Sequence, residues 1–282
     1  MDDLLTAAVL ALCFGAPQPV SIAGYNGHAM EPFIARDGQT LFFNNRNEPA
    51  EETDLHWATR IDDTHFRYQG LLTSANSDHL DGVASFARDG TFAFTSLRAF
   101  ESRGATIWTG RWDGRTLTNL NLETALAPGR PPQFNMDGEL SASGGRFYVS
   151  DNVWGLFRLR SSDLRVAVRE NGRWRRAPES NSWFAAINTR NALEYAPATN
   201  EAETELYFTR LTLPFLRPPR FETFVAVRAN PTTPFGPPER IDALEGYVEA
   251  PSVAPDGALY VHAMVNGRFT LMRSARTCER LR

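Results

Sequence analysis

One pattern of hydrophobic and polar positions recurs along the chain and predicts a repeated unit of short β-strands. In each copy a carboxylate, often followed by proline, precedes a short apolar strand, a tight turn and an aromatic strand, and a third strand carries Trp, Phe or Leu. β-Branched and aromatic residues in such runs favour strands. A unit repeated at this spacing stacks on its neighbours, so the repeat indicates the fold class. The copies begin at Glu31, Val83, Glu139, Glu194 and Ala250.

The turns within the copies are typical of the hairpins in a β-propeller blade. Asp37-Gly38 and the equivalent Asp-Gly pairs predict two-residue turns, because glycine adopts positive φ without steric cost. Small residues near the turn suit strands that crowd around a common axis. Each copy has room for four strands, except the last. The alanines that lie two positions before the turn are Ala35, Ala87, Ala142 and Ala254.

The N-terminus is expected to supply the strand that the last copy lacks. Ile22 precedes Pro32 by the same spacing that separates Ile241 from Pro251. Ile241 ends the predicted outer strand of the fourth copy. We therefore expect residues 19–23 to form the outer strand of the last blade. Such closure leaves no open sheet edge around the ring. The predicted fold is an all-β, five-bladed β-propeller of four-stranded antiparallel blades, closed by the N-terminal strand.

The first residues form an apolar segment with features of a signal peptide. Residues 4–14 are mostly apolar and are followed by Gly15-Ala16-Pro17, although Asp2 and Asp3 stand where basic residues are expected. We expect residues 1–17 to be a signal peptide or an N-terminal apolar segment, and residues 18–282 to be a single propeller domain. The run is too short to span a membrane. This arrangement predicts a periplasmic or secreted protein.

The composition excludes several classes of function. A net charge of −4 and a pI near 5.8 argue against nucleic-acid binding, which needs a basic surface. No phosphate-binding loop, dinucleotide fingerprint or Gly-x-Ser-x-Gly motif is present, and the histidines lack metal-ligand spacing. We therefore predict a monomer without a cofactor or metal. Cys13 and Cys278 could form a disulfide if the first segment is retained, but two unrelated thiols are favoured.

The repeat resembles that of the TolB-like propellers of bacterial periplasmic proteins. Residues 249–257 read Glu-Ala-Pro-Ser-Val-Ala-Pro-Asp-Gly, close to the family pattern, and Asp54-Leu-His-Trp fits its third strand. The proline-rich connector at residues 230–241 is also similar, and the resemblance covers nearly everything from residue 19 onward. It implies the propeller fold. Its members bind proteins, bind ligands or have no assigned role.

The strand entrances supply the first candidate site. Acidic residues there would surround a channel mouth, where they could hold a cation, polarise a sugar or hydrolyse a glycosidic bond. Their offsets from the proline position differ, however, and strand side chains alternate between faces. The alternative is that they bond to backbone amides or link neighbouring blades. These acids are Glu31, Asp81, Glu139, Glu194 and Glu249.

The insertions in the third and fourth copies supply the second candidate site. Trp183, Phe215 and Arg217 lie in two of these long segments, and exposed aromatic residues beside arginine suit a glycan or a protein partner. The alternative is that Trp183 and its neighbour Phe184 cover a blade edge. Arg46, Arg98 and Arg210 are interpreted as partners in salt bridges at the rim.

These observations favour a binding module for a protein or a glycan rather than an enzyme. The alternative is a glycosidase-like propeller enzyme that uses the channel-mouth carboxylates Glu31, Glu194 and Glu249. A non-catalytic repeat protein with a channel cation is a third possibility. The sequence identifies neither the ligand nor the partner.

Overall fold

Five antiparallel blades of four strands surround a common axis, one of them with an additional strand at its outer edge, and this confirms the predicted five-bladed propeller. The computed structural model describes residues 6–7, 10–11, 13–48, 52–156, 159–246 and 248–278. In every blade the innermost strand contacts the innermost strands of its neighbours, so the ring is closed.

Four of the five blades run from the innermost strand outward in chain order, and the fifth takes its outer strand from the N-terminal segment. Short helices at Phe100–Arg103 and Ser180–Trp183 and a 3-10 turn at Thr124–Leu126 lie in connections between strands. The strands are β1 (Gln18–Pro19), β2 (Ser21–Ala23), β3 (Met30–Ile34), β4 (Thr40–Asn44), β5 (Leu55–Arg60), β6 (His65–Leu71), β7 (Asp81–Phe86), β8 (Thr91–Ser96), β9 (Ile107–Trp112), β10 (Leu117–Leu122), β11 (Gln133–Leu140), β12 (Arg146–Trp154), β13 (Leu159–Glu170), β14 (Arg173–Arg176), β15 (Ala192–Thr199), β16 (Glu205–Thr212), β17 (Arg220–Val227), β18 (Glu239–Arg240), β19 (Val248–Val253), β20 (Leu259–Val265) and β21 (Arg268–Ser274).

Blade 1 is built from β3 to β6, blade 2 from β7 to β10, blade 3 from β11 to β14 and blade 4 from β15 to β18. Blade 5 contains β19 to β21 and takes β1 as its outer strand. The hydrophobic core lies mainly between blades, where aromatic residues of adjacent second strands meet. For example, the rings of Phe42 and Phe92 contact edge to face at 5.0 Å. Such contacts fix each blade against the next.

Every innermost strand contains a bulge, where its pairing with the second strand shifts register. In a bulge, two residues oppose one on the partner strand, and side chains are redirected. Four of these bulges place a non-glycine residue at positive φ: Glu31, Val83, Ala196 and Ala250.

The bulges also connect neighbouring blades through hydrogen bonds. The backbone N–H of Glu31 donates to Nδ1 of His262 at 3.2 Å, and that of Ala250 donates to Oγ1 of Thr209 at 3.0 Å. In both cases the acceptor belongs to the second strand of the preceding blade. The strand entrances are therefore held at fixed positions around the axis.

The N-terminal strand closes the ring, but not quite as the sequence predicts. Gln18 and Pro19 pair with Arg273 and Met272 of blade 5. The following strand, β2, instead pairs in parallel with β6 of blade 1. The predicted single strand at residues 19–23 is thus divided between the last and the first blade, and it fastens both.

The segment before this strand packs against blades 4 and 5. Leu10 and Phe14 are buried in the hydrophobic cluster that contains Tyr207, and the Thr277 N–H donates to the Cys13 carbonyl at 2.7 Å. Cys13 and Cys278 form a disulfide. The expectation of two unrelated thiols is therefore wrong, because the closing strand brings the two ends together. The domain boundary after residue 17 stays a prediction.

This disulfide is expected to contribute measurably to stability. It joins residues 265 positions apart, so it restricts the unfolded chain strongly. Replacing Cys13 and Cys278 together by serine should lower the free energy of unfolding by about 2–4 kcal/mol. Denaturant unfolding of both proteins measures the difference. The wild type treated with a reductant should match the serine variant, and equal midpoints for oxidised wild type and variant would contradict the expectation.

Within the described residues, no helix is long and apolar enough to cross a membrane.

Candidate active site

Three of the five predicted acids are neutralised by arginine. Asp81 lies 2.5 Å from the Arg98 guanidinium, and its other oxygen accepts hydrogen bonds from the Ser77 N–H and hydroxyl. Glu194 lies 2.9 Å from Arg210. Both acids are fully buried. The interpretation of Arg98 and Arg210 as salt-bridge partners is thus consistent with the structure, and these acids stabilise the strand entrances.

Glu139, the third paired acid, lies near the opposite end of the channel. Its carboxylate accepts hydrogen bonds from Arg36 at 2.7 Å and from the Thr199 N–H at 2.8 Å. Arg36 also donates to the carbonyls of Leu140 at 3.0 Å and Thr199 at 3.1 Å. This buried pair links blades 1, 3 and 4 at the end where the inner hairpins turn. It is therefore separate from the carboxylates at the strand entrances.

The two remaining acids, Glu31 and Glu249, face a third carboxylate, Asp137. They lie on the innermost strands of blades 1, 5 and 3, and all three are more than nine-tenths buried. Burial raises the pKa of Glu31 well above its usual value, and the charges of Asp137 and Glu249 raise it further. Glu249 lies 3.0 Å from His262, whereas Asp81, Glu139 and Glu194 each lie beside an arginine. We call Glu31, Asp137 and Glu249 the carboxylate cluster.

Glu249 is held by hydrogen bonds to both of its oxygens. Oε2 accepts a hydrogen bond from the Tyr195 hydroxyl, and Oε1 lies 3.0 Å from His262 Nε2. Nδ1 of His262 accepts the Glu31 N–H, so the proton of the neutral ring must lie on Nε2 and be donated to Glu249. Two donors favour the ionised form of a carboxylate. Glu249 is thus fixed in place as an acceptor.

Asp137, the third member of the carboxylate cluster, also has a raised pKa. Burial raises its pKa to about 7, the Ala196 N–H opposes this shift, and the charge of Glu249 adds to it. The Ser150 hydroxyl lies 3.4 Å from its Oδ2. The cluster therefore combines two carboxyl groups whose pKa values are raised with a third that accepts hydrogen bonds on both oxygens. Pairs of carboxyl groups whose environments differ in this way are typical of acid–base catalysis.

The cross-strand partner distinguishes the paired acids from those of the cluster. Glu194 lies directly opposite Arg210 in its hairpin, whereas Glu249 lies directly opposite His262. This signal is present in the sequence, since the partner can be counted from the turn. Glu194 was predicted as a catalytic alternative together with Glu31 and Glu249, but its ion pair places it outside the cluster.

Asp137 was missed because the inner hairpin of blade 3 is one residue pair longer than the others. The turn N–H of Gly144 bonds to Ser141, whereas Gly38 bonds to Ala35, so Ser141 and not Ala142 is the equivalent of Ala35. When the copies are aligned on the alanine before the turn, Ala142 in the third copy, Glu139 takes the position of the acid at the strand entrance. The pairing instead places the bulge at residues 136–137. The acid that enters the channel there is Asp137.

The residues predicted in the insertions are separated by the structure. Trp183 is buried with Phe184, and the Arg228 guanidinium lies 5.8 Å from its ring, so Trp183 covers a blade edge and is closed to a ligand. Phe215 is 89% exposed in the loop between β16 and β17, and Arg217 lies exposed in the same loop. The third rim arginine, Arg46, pairs with Glu52 at 3.0 Å. None of these residues contacts the carboxylate cluster.

No group of three or more histidine, cysteine, aspartate or glutamate residues is arranged to hold a metal ion in the part of the chain that is described.

Several solved structures match the fold over nearly the whole chain. Zg3597, a family 117 glycoside hydrolase of the marine bacterium Zobellia galactanivorans, is 9% identical, with a TM-score of 0.58 over 94% of this chain and 91% of that one. An endo-arabinase of Bacteroides thetaiotaomicron is 12% identical, with a TM-score of 0.55 over 95% and 98%. An α-L-arabinanase of Cellvibrio cellulosa is 14% identical, with a TM-score of 0.56 over 88% and 92%. At these identities the likeness shows the fold alone.

No protein-family model and no curated protein matches the sequence. The resemblance to TolB-like repeat proteins is therefore wrong: the matching structures are glycoside hydrolase propellers, and short repeat motifs such as Pro-Asp-Gly reflect hairpin turns that many propellers share. The preference for a binding module is corrected by the same finding. The glycosidase-like alternative agrees better with these structures.

Proposed function

We propose that the protein is a glycoside hydrolase whose catalytic groups are the carboxylate cluster. The observation that carries this proposal is that three buried carboxyl groups, Glu31, Asp137 and Glu249, lie close enough together for their charges to raise the pKa values of Glu31 and Asp137. Carboxyl groups that are buried together and have raised pKa values are typical of functional sites. The fold of the matching glycoside hydrolases supports the proposal but does not identify the substrate.

Glu31 is proposed as the general acid. Its raised pKa favours the protonated form, which can donate that proton to the glycosidic oxygen as the bond from this oxygen to the anomeric carbon breaks. Glu249, oriented by Tyr195 and His262, accepts a proton from the attacking water. The hydroxyl of that water bonds to the anomeric carbon. One water is consumed and two hydroxyl groups are formed, and solvent returns the proton from Glu249 to Glu31.

Asp137 is proposed to regulate the proton affinity of Glu31. Its charge is the largest electrostatic contribution to the raised pKa of Glu31 after burial itself. Tyr195 and His262 are positioning residues, because they contact Glu249.

A panel of plant and algal polysaccharides and aryl glycosides tests the function. The purified protein is incubated with each, and new reducing ends are measured. Release of reducing ends from at least one substrate is expected, with loss of that activity in a Glu31→Gln, Glu249→Gln double variant. Activity that survives in the double variant would assign hydrolysis to another site or to a contaminant.

The pH dependence of hydrolysis should depend on Asp137. Glu31 must be protonated to act, so kcat/KM falls at alkaline pH. Asp137→Asn removes a negative charge that raises the pKa of Glu31, and the alkaline limb should therefore move to lower pH. The profile of kcat/KM against pH measures this shift.

Asp78→Asn, at an exposed carboxylate, is the matched control and should leave the limb unchanged. A limb that is unmoved or moves to higher pH in Asp137→Asn contradicts the assigned role.

The folding of the Asp137→Asn variant is checked at pH 8. The pKa of Asp137 is raised to about 7 in the folded protein, so its ionisation destabilises the fold as the pH rises through that value. The asparagine variant should thus melt no lower than wild type at that pH.

A further inference from the structure

A groove of about 450 Å³ lies between blades 3 and 4 at the same end of the channel as the carboxylate cluster. It is bordered by Gly155 and Leu156 after β12, by the start of β15 and by the end of β16. Leu159 and Leu211 are half-buried and supply apolar surface, Leu193 is buried at its base, and Arg160 and Arg190 supply the charge. These five residues define what we call the arginine groove.

The two arginines of the groove differ from those at the strand entrances. Arg98 and Arg210 are committed to buried carboxylates. Arg160 and Arg190 are exposed, and neither forms an ion pair or a side-chain hydrogen bond with any residue that the structure describes. Two unpaired guanidinium groups beside one cavity create a local positive potential, although the chain as a whole carries −4.

The arginine groove is close to the proposed catalytic groups. Leu193 lies two residues before Tyr195 on β15, and residues two apart on a strand project from the same face about 7 Å apart. Tyr195 in turn donates its hydroxyl hydrogen bond to Glu249. A glycan with one sugar unit at the carboxylate cluster would therefore place a neighbouring unit at or near the groove.

We propose that the arginine groove binds an anionic substituent of a glycan, either the carboxylate of a uronic acid or a sulfate ester. This inference rests on the proposed hydrolase function for its choice of a glycan as ligand. Guanidinium groups form paired, charge-assisted hydrogen bonds with planar carboxylates and with sulfate oxygens. The half-buried side chains of Leu159 and Leu211 offer an apolar surface to the C–H face of a sugar ring. An acidic cluster would repel such an anion, and the arginines hold it one unit away.

Binding is measured by calorimetry in the Glu31→Gln background, in which hydrolysis of the ligands should be slow. The probes have equal length: a galacturonic acid tetramer, a sulfated galactan tetramer and a neutral galactan tetramer. We expect at least one anionic tetramer to bind about tenfold or more tightly than the neutral one, since each charged hydrogen bond contributes about one such factor. The galacturonate and sulfate arms show which anion is preferred.

Replacing both Arg160 and Arg190 by glutamine should abolish that preference. Arg115→Gln is the matched control, because Arg115 is exposed in a hairpin at the opposite end of the channel and forms no ion pair with a residue that the structure describes. It should bind as the parent does. Equal affinity for charged and neutral tetramers, no binding of any tetramer, or a preference that survives in the double variant would each overturn the proposal.

The two proposals fail in different ways. If anionic glycans bind through Arg160 and Arg190 but the wild type hydrolyses no glycan, the proposal for the arginine groove is supported and the hydrolase function is contradicted. If a neutral glycan is hydrolysed and the protein binds charged and neutral glycans equally, the hydrolase function is supported and the proposal for the arginine groove is contradicted.

Discussion

Glu31→Gln should lower kcat/KM by about two to four orders of magnitude on a natural glycan, as expected for removal of a general acid. The loss should be much smaller on an aryl glycoside with an acidic phenol, because that leaving group departs without protonation. Glu249→Gln removes the group that activates water, so it should lower kcat/KM on both substrates by a comparable factor. The measurement is kcat/KM for each variant on a matched pair of substrates.

Glu48→Gln is the control for this comparison, since Glu48 is an exposed carboxylate in the loop after β4, at the same end of the channel. Its kcat/KM should equal that of wild type. If both cluster variants retain wild-type activity, or if Glu31→Gln affects the two substrates equally, the assignment of acid and base is wrong.

Breaking the buried ion pair between Arg36 and Glu139, at the channel end away from the carboxylate cluster, should strongly lower the stability of the fold. The side chains of Arg36 and Glu139 are only 7% and 5% exposed, so Arg36→Met leaves a buried carboxylate without its cation. The expected loss in the free energy of unfolding is about 3–5 kcal/mol. Denaturant unfolding measures it.

A double-mutant cycle separates the charge from the packing. Glu139→Gln in the Arg36→Met background removes the uncompensated charge and should restore part of the lost stability. Arg88→Met is the control at the same channel end, because Arg88 forms an exposed pair with Glu201 at 3.0 Å, and it should cost no more than about 1 kcal/mol. Equal losses for Arg36→Met and Arg88→Met would contradict the structural role of the buried pair.

The fold could be predicted because its signals are local. Asp37-Gly38 specifies a turn, and the apolar run Leu41-Phe42-Phe43 that follows it forms a buried second strand. Repetition of the same short pattern determines the number of blades. The division of residues 18–23 between two blades was not predictable, since the hydrogen bonds of an outer strand depend on which sheet edge lies nearest in space.

The candidate site could be predicted only in part. Glu31 and Glu249 were identified from their position before the inner strands, and both reach the carboxylate cluster. Asp137 was not identified, because one additional residue pair in its hairpin shifts the bulge relative to the turn. Whether an entrance acid is neutralised depends on the residue across the hairpin, as the pairs Glu194–Arg210 and Glu249–His262 illustrate.

The central claim is that the carboxylate cluster adds water across a glycosidic bond. Its most direct test is mass spectrometry of the products formed in H₂¹⁸O from a polysaccharide that the wild type degrades. We predict oligosaccharides that carry one ¹⁸O at each new reducing end with wild type, and none above background with Glu249→Gln. Labelled products formed equally by both proteins, or no degradation of any polysaccharide by wild type, would contradict the claim.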